Sequence, residues 1–298
     1  MTIAYDSPAA IKTFLEAEGL AMSKRFGQNF LVDRNAREKL CAAVENAIGS
    51  GGPRHIWEIG PGIGSITSLL LEKGHRVTAF EIDHGFARIL RGLFGDNPRF
   101  TLVEGDVLKT WQGQLAAGLP DIVFGNLPYN VALAIVGDLL ESGTVPARMV
   151  FTVQKEAAQR IVSSPGTKDY SSFSVLCLSV CKGKILYDIG ASAFWPRPRV
   201  TSSVISLAPR PDPVAASDRA GFSRFVRGAF ASRRKTLRNN LAALDARLAA
   251  GLAAALAERG IAEDIRAEAL TPEQLSSLYF ALTAGRGAPE TSPALPCP

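Results

Sequence analysis

Short apolar runs, bounded by glycine, proline and polar residues, recur through the first two-thirds of the chain. Residues 55–59, 76–81, 100–104, 121–125 and 148–154 each read as a short buried strand. Between them, apolar positions recur at helical spacing over 65–73, 85–94 and 132–141. Strands alternating with helices predict a doubly wound, mostly parallel sheet. A helix over 11–22 and another ending near Ile48 precede this pattern, and Gly49-Ser50-Gly51-Gly52-Pro53 breaks the second. Beyond Gln154 come helices over 155–162 and 172–180, a loop over 163–170, and late strands near 184–189 and 203–208, which bring the sheet to seven. Pro209-Arg210-Pro211-Asp212-Pro213 is the clearest linker, and the pattern after it is wholly helical, over 219–257 and 272–284. The expected architecture is an α/β, Rossmann-like domain over 1–208, a small all-helical domain over 214–284, and a disordered tail over 285–298, which carries four prolines.

Composition narrows the class. With 298 residues and 47% hydrophobic content, the chain can bury a substantial core. No run approaches the ~18 apolar residues of a membrane span, and residues 1–10 lack a signal-peptide layout, so a soluble cytoplasmic protein is expected. Cys41, Cys177, Cys181 and Cys297 form no Cys-x-x-Cys pair, and none of the three histidines completes a zinc ligand spacing. Metal and disulfide chemistry are disfavoured. The net charge of +5 is unevenly spread: ten Lys/Arg lie between Arg197 and Arg238 against two acids, and Lys24 and Arg25 form a second basic pair. That density suits a polyanionic partner.

The chemistry gathers at successive strand ends. Gly125-Asn126-Leu127-Pro128-Tyr129-Asn130 follows the fourth strand. The exocyclic N6 amine of adenine is a poor nucleophile because its lone pair is delocalised. An Asn oxygen and a neighbouring backbone carbonyl can accept its two N–H bonds and aim the lone pair at an electrophile. Proline stiffens the turn, and Tyr129 offers a stacking face for an extruded base. Asn-Leu-Pro-Tyr resembles the catalytic motif of adenine-N6 methyltransferases. Glu58-Ile59-Gly60-Pro61-Gly62-Ile63-Gly64 sits at the strand-to-helix turn where such sheets bind nucleotides, and by itself suits NAD, FAD or S-adenosylmethionine. Glu81, 21 residues after Gly60, can accept both ribose hydroxyls, and Asp106 after the third strand can accept the adenine N6–H bonds of the cofactor. Together with Asn126 the set looks like a class I methyltransferase rather than a dehydrogenase.

Several further motifs occur in one order. They are Lys24-Arg25-Phe26-Gly27-Gln28-Asn29-Phe30-Leu31, Gln154-Lys155-Glu156, Phe194-x-Pro196-x-Pro198-Arg199-Val200-x-Ser202 and Ser232-Arg233-Arg234-Lys235-Thr236-Leu237-Arg238-Asn239. Over about residues 12–282 the chain closely resembles the small-subunit (16S) rRNA adenine N6,N6-dimethyltransferases of the KsgA type. The resemblance implies dimethylation of two adjacent adenosines in a hairpin loop near the 3′ end of that rRNA, on an assembling 30S particle, by a monomer using S-adenosylmethionine. It implies a cofactor site of Gln28, Asn29, Leu31, Glu58, Gly60, Gly62, Glu81, Ile82, Asp106, Val107 and Asn126. Asn126, Leu127 and Tyr129 would handle the target base, with Phe194 stacking on its other face. Lys24, Arg25, Arg197, Arg199, Arg233, Arg234, Lys235 and Arg238 would contact RNA. Two departures stand out: Thr201 replaces an acid after the Pro-x-Pro segment, and Ser171 replaces a glycine after Tyr170.

The sulfonium methyl is already activated, so direct transfer needs only orientation and acceptors matched to charge developing at N6. Rival readings are the related large-subunit rRNA methyltransferases of macrolide resistance, a non-catalytic ribosome assembly factor, and a DNA adenine methyltransferase.

Overall fold

A computed structural model describes residues 3–20, 29–49, 52–128, 131–142, 146–215 and 217–284. The chain divides into two compact units, 1–163 with 176–213, and 164–175 with 214–298.

The first unit is built on a seven-stranded sheet. Its strands are β2 (His55–Ile59), β3 (Arg76–Glu81), β4 (Phe100–Glu104), β5 (Ile122–Asn126), β6 (Met149–Gln154), β7 (Cys181–Ile189) and β9 (Ser202–Pro209), in the order β4-β3-β2-β5-β6-β9-β7. The first five run parallel, whereas β9 is antiparallel to both β6 and β7. The central strands are mostly apolar because helices cover both faces, and Ile56, Val77, Ile122, Phe124 and Val150 are all buried. Strand order reverses between β2 and β5, and the crevice at their carboxyl ends is where a ligand site belongs in such a sheet.

Helices α1 (Pro8–Ala17), α2 (Arg34–Ile48), α3 (Ser65–Glu72) and α4 (His84–Phe94) start where the sequence supplies a cap or a left-handed glycine. Ser7 accepts from Ala10, with Pro8 in the first turn, so α1 begins earlier than its apolar spacing suggests. Asp33 and Asp83 cap α2 and α4 in the same way. Gly64, at φ +80, caps α3, and a Cβ there would lie 2.5 Å from the Phe94 ring. A short α5 (Val107–Thr110) follows Asp106, and α6 (Ala132–Glu141) follows the segment after β5. Trp111 is buried and donates from Nε1 to Asp138 Oδ2 at 2.7 Å, tying the segment after α5 to α6.

A separate two-stranded ribbon pairs β1 (Phe30–Leu31) antiparallel with β8 (Phe194–Trp195). Sequence periodicity gives no hint of it, since two residues cannot display a period. Helix α7 (Lys155–Val162) starts directly after β6, and α8 (Ser172–Val180) leads into β7.

In the second unit, α9 (Arg219–Ala229), α10 (Leu237–Leu244) and α11 (Ala246–Ala257) divide the helical stretch expected over 219–257, and α12 (Pro272–Thr283) follows. They break at Phe230–Thr236 and at Asp245, where Thr236 and Asp245 side chains cap the next helix. The core contains Phe222, Phe225, Leu241, Leu252, Leu275 and Leu278. Segment 164–175 groups with this unit: Tyr170 is fully buried and donates its hydroxyl to the Leu270 carbonyl at 2.9 Å. Ser171 bonds to Ser174 through both its N–H and its hydroxyl, so the serine found in place of glycine closes the first turn of α8. The tail over 285–298 lies outside the described residues.

Candidate active site

A cavity opens at the carboxyl ends of β2, β3, β4 and β5. Asn29, Leu31, Glu58, Gly60, Gly62, Glu81, Ile82, Asp106, Val107, Asn126 and Leu127 all line it. Thus every described residue expected around the cofactor converges on one space, from four successive strand ends and the β1 ribbon. Gln28, Lys24, Arg25 and Tyr129 lie outside the described residues.

One wall is the glycine turn. Gly60 and Gly62 take φ of +67 and +58, which side chains with a Cβ rarely adopt. Glu81 closes the end of β3: its Oε2 accepts the Gly62 N–H at 3.1 Å and its Oε1 accepts the Asp83 N–H at 2.9 Å. Each oxygen keeps further acceptor capacity on the cavity side, the pattern needed to hold a pair of ribose hydroxyls. Burial pushes Glu81 up to about 7, against the pull of those two N–H donors. Glu58 is also raised to about 7 by burial, partly offset by the Thr67 hydroxyl, which donates to it at 2.7 Å. Asp106 accepts the Leu108 N–H through Oδ1 at 3.1 Å, while Ile82, 44% exposed, and buried Val107 supply apolar surface for a flat base. The cradle therefore fits an adenosine bearing a cationic side chain: carboxylates for the hydroxyls and amine, and apolar faces for the ring.

The opposite wall is the turn after β5. A Cβ at Gly125 would lie 2.8 Å from the Ile59 carbonyl oxygen, so only glycine lets β5 approach β2 closely enough here. Asn126 Nδ2 donates to the Asn29 carbonyl at 3.0 Å. A carbonyl can only accept, so the amide nitrogen faces Asn29 and Oδ1 is left as the acceptor. Leu127 is buried and donates its N–H to Thr152. The Pro128 carbonyl accepts from both Val131 and Ala132. Pro128, Val131 and Ile135 also line the cavity. Pro128 is the proline expected to stiffen the turn, whereas Val131 and Ile135, one turn apart, carry no such signal in the sequence.

Other expected residues take different places. Phe194 is 3% exposed, packs in the core with Leu31 and Ile189, and is not among the cavity residues. Arg197 and Arg199 are exposed. Arg233, Arg234, Lys235 and Arg238 are all exposed in the second unit, and Arg233 also makes contacts within it. Its guanidinium pairs with Glu268 at 2.8 Å and donates to the Lys168 carbonyl, tying segment 164–175 to the turn before α12. Beside Thr201, the Lys155 N–H donates to the Thr201 carbonyl, and Asp188 accepts from both Lys155 Nζ and Ser203 Oγ at 2.6 Å. Asp188 on β7, opposite Ser203, thus supplies an acid two residues along from position 201, where the family pattern has one.

Comparison with known proteins decides the lineage. A family model described as "Ribosomal RNA adenine dimethylase" matches residues 19–283. The chain belongs to this family. Among curated proteins, "Ribosomal RNA small subunit methyltransferase A" of Treponema denticola is 47% identical over 240 residues, 80% of each chain. The protein of the same name from Treponema pallidum is 40% identical over 276 residues, 93% of this chain and 94% of that one. Among solved structures, a dimethyladenosine transferase from Plasmodium falciparum aligns with TM-score 0.66 at 20% identity, covering 83% of this chain and 94% of the other. The 23S rRNA methyltransferase ErmE aligns at 0.61 and 23% identity, over 85% and 98%. At those identities the structural matches show the shared fold. The family member described here is an S-adenosylmethionine-dependent rRNA methyltransferase with a Rossmann-like α/β domain. Among the described residues, no helix is long and apolar enough to cross a membrane.

Proposed function

We propose that the protein dimethylates N6 of two adjacent adenosines in a hairpin loop near the 3′ end of small-subunit rRNA, acting as a cytoplasmic monomer on the assembling subunit. The observation that carries the chemistry is the shared cavity. Asn126 and Leu127 reach the same space as Glu81, Asp106 and the Gly60 turn. A methyl donor held by the second group would therefore lie beside an amine held by the first.

Bound S-adenosylmethionine supplies an electrophilic sulfonium methyl. Glu81 would hold the ribose, Asp106 with Ile82 and Val107 the adenine, and the backbone of the Gly60 turn the amino-acid end. Asn126 Oδ1 and the Leu127 carbonyl accept the two N–H bonds of the target N6, localising its lone pair and stabilising positive charge that develops there. Arg234, Lys235 and Arg238, with Arg197 and Arg199, supply cations to RNA phosphates. The small-subunit target rests on the motif resemblance and on relatives bearing that name.

The test is Asn126→Ala assayed on unmethylated small subunits with radiolabelled cofactor. Transfer should fall to background while subunit binding, followed by filter retention, is kept. Undiminished transfer would remove Asn126 from the reaction.

A further inference from the structure

The Asn126 amide has two ends, and only one is spoken for by the target base. The other end, Nδ2, donates to the main-chain carbonyl of Asn29, 97 positions earlier in the chain. That carbonyl is placed with care. Phe30 and Leu31 pair antiparallel with Trp195 and Phe194. The Ala193 carbonyl accepts from both Val32, at 2.8 Å, and Asp33, at 3.2 Å. The Phe30 ring stacks on Trp195 with centroids 6.4 Å apart and meets Phe86 edge-on at 5.6 Å. Phe194 and Leu31 are both buried. A ribbon of only two residues per strand is thus fixed on both faces, directly after the residue whose carbonyl meets the amide.

We propose that the Asn29 carbonyl, held by the β1–β8 ribbon, is a positioning group that fixes the orientation of the Asn126 amide, so that position 126 must offer a donor as well as an acceptor. The inference rests on the reading of Asn126 as the N6 acceptor. Buried Phe194, paired with Leu31, anchors the strand that follows Asn29.

The proposal separates asparagine from its isostere aspartate. An ionised Asp at 126 has two acceptors and no donor. One of its oxygens would face the Asn29 oxygen at about hydrogen-bond distance with no proton between them, and the carboxylate would rotate away. Protonated, the same side chain donates an O–H to Asn29 and presents its carbonyl oxygen to the base. The charged groups facing it are Glu58, Glu81 and Asp106, and no Lys, Arg or His is among the cavity residues described.

The experiment compares the full-length wild type, Asn126→Ala and Asn126→Asp on unmethylated small subunits between pH 6 and 9. Melting temperature and cofactor affinity are measured on each protein. The ratio of Asn126→Asp to wild-type kcat cancels the titrations of Glu58 and Glu81 that both share. It should lie about tenfold to a hundredfold below unity at neutral pH, the scale of a misplaced reacting group, and fall further as pH rises. In the wild type, labelled with 13C and 15N, NMR should show a through-hydrogen-bond coupling from Asn126 Nδ2 to the Asn29 carbonyl carbon. A kcat ratio that does not fall with pH, whether high or low, would overturn the proposal, as would Asn126 amide protons exchanging at the solvent rate. A fully active Asn126→Ala would instead sink the underlying reading of Asn126.

Discussion

Glu81 makes affinity for the methyl donor pH-dependent, with a sign and size set by burial. The carboxyl is 4% exposed and ionises at about 7 instead of 4.5. That displacement corresponds to about 3 kcal/mol against the charged form. Only the ionised carboxylate can accept a hydroxyl at each oxygen while still accepting the Gly62 and Asp83 N–H bonds. The competent fraction is then roughly one-tenth at pH 6 and nine-tenths at pH 8, so apparent affinity should rise about tenfold over that interval. Titration calorimetry of S-adenosylmethionine into the wild type and Glu81→Gln measures it, and the ratio of the two affinities cancels the titration of the ligand's own amine. Removing hydrogen bonds to a charged group costs about 1.5–3 kcal/mol, so Glu81→Gln should bind about tenfold to a hundredfold more weakly at pH 8, and less so at pH 6. A wild-type to variant ratio that stays constant from pH 6 to 8, or shrinks, would refute the reasoning.

Stability of the ligand-free protein should move the other way. Glu58 and Glu81 have folded values raised above those of the unfolded chain, so their contribution is fully present below about pH 4.5 and is lost as pH rises through about 7. Thermal melts should therefore show Glu58→Gln less sensitive to pH than the wild type across that window. Gly125→Ala forces a Cβ to within 2.8 Å of the Ile59 oxygen and of Leu127, and should lower stability by about 1–3 kcal/mol in a denaturant titration while also reducing kcat. Arg233→Ala should lower the melting temperature by detaching Glu268 and the Lys168 carbonyl. Arg234→Ala and Arg238→Ala, both exposed, should leave stability unchanged but reduce the slope of log affinity for RNA against log salt by about one each.

The strands of the parallel sheet are legible because helices bury both faces, leaving mostly apolar runs such as 149–153 and 122–124, and the polar residues at strand ends then stand out as Glu81, Asp106 and Asn126. What periodicity cannot show is pairing between residues far apart in sequence. The β1–β8 ribbon, the Asn29–Asn126 bond and the grouping of 164–175 with the helical unit all come from tertiary contacts. Arg233 illustrates the same limit in charge reading: it is exposed like Arg234 and Lys235, and only the fold reveals Glu268 beside it. Phe194 shows it for aromatics, since only the fold pairs it with Leu31 and packs its ring into the core.

The central claim is the identity of the methylated base. The protein and labelled S-adenosylmethionine should be incubated separately with small subunits, large subunits and DNA, each lacking its adenine methylations, and modified positions mapped by reverse-transcription stops. The account predicts label in small subunits alone, with stops at two adjacent adenosines near the 3′ end of their rRNA. Label confined to large subunits or DNA, or small-subunit binding with no transfer, would contradict it.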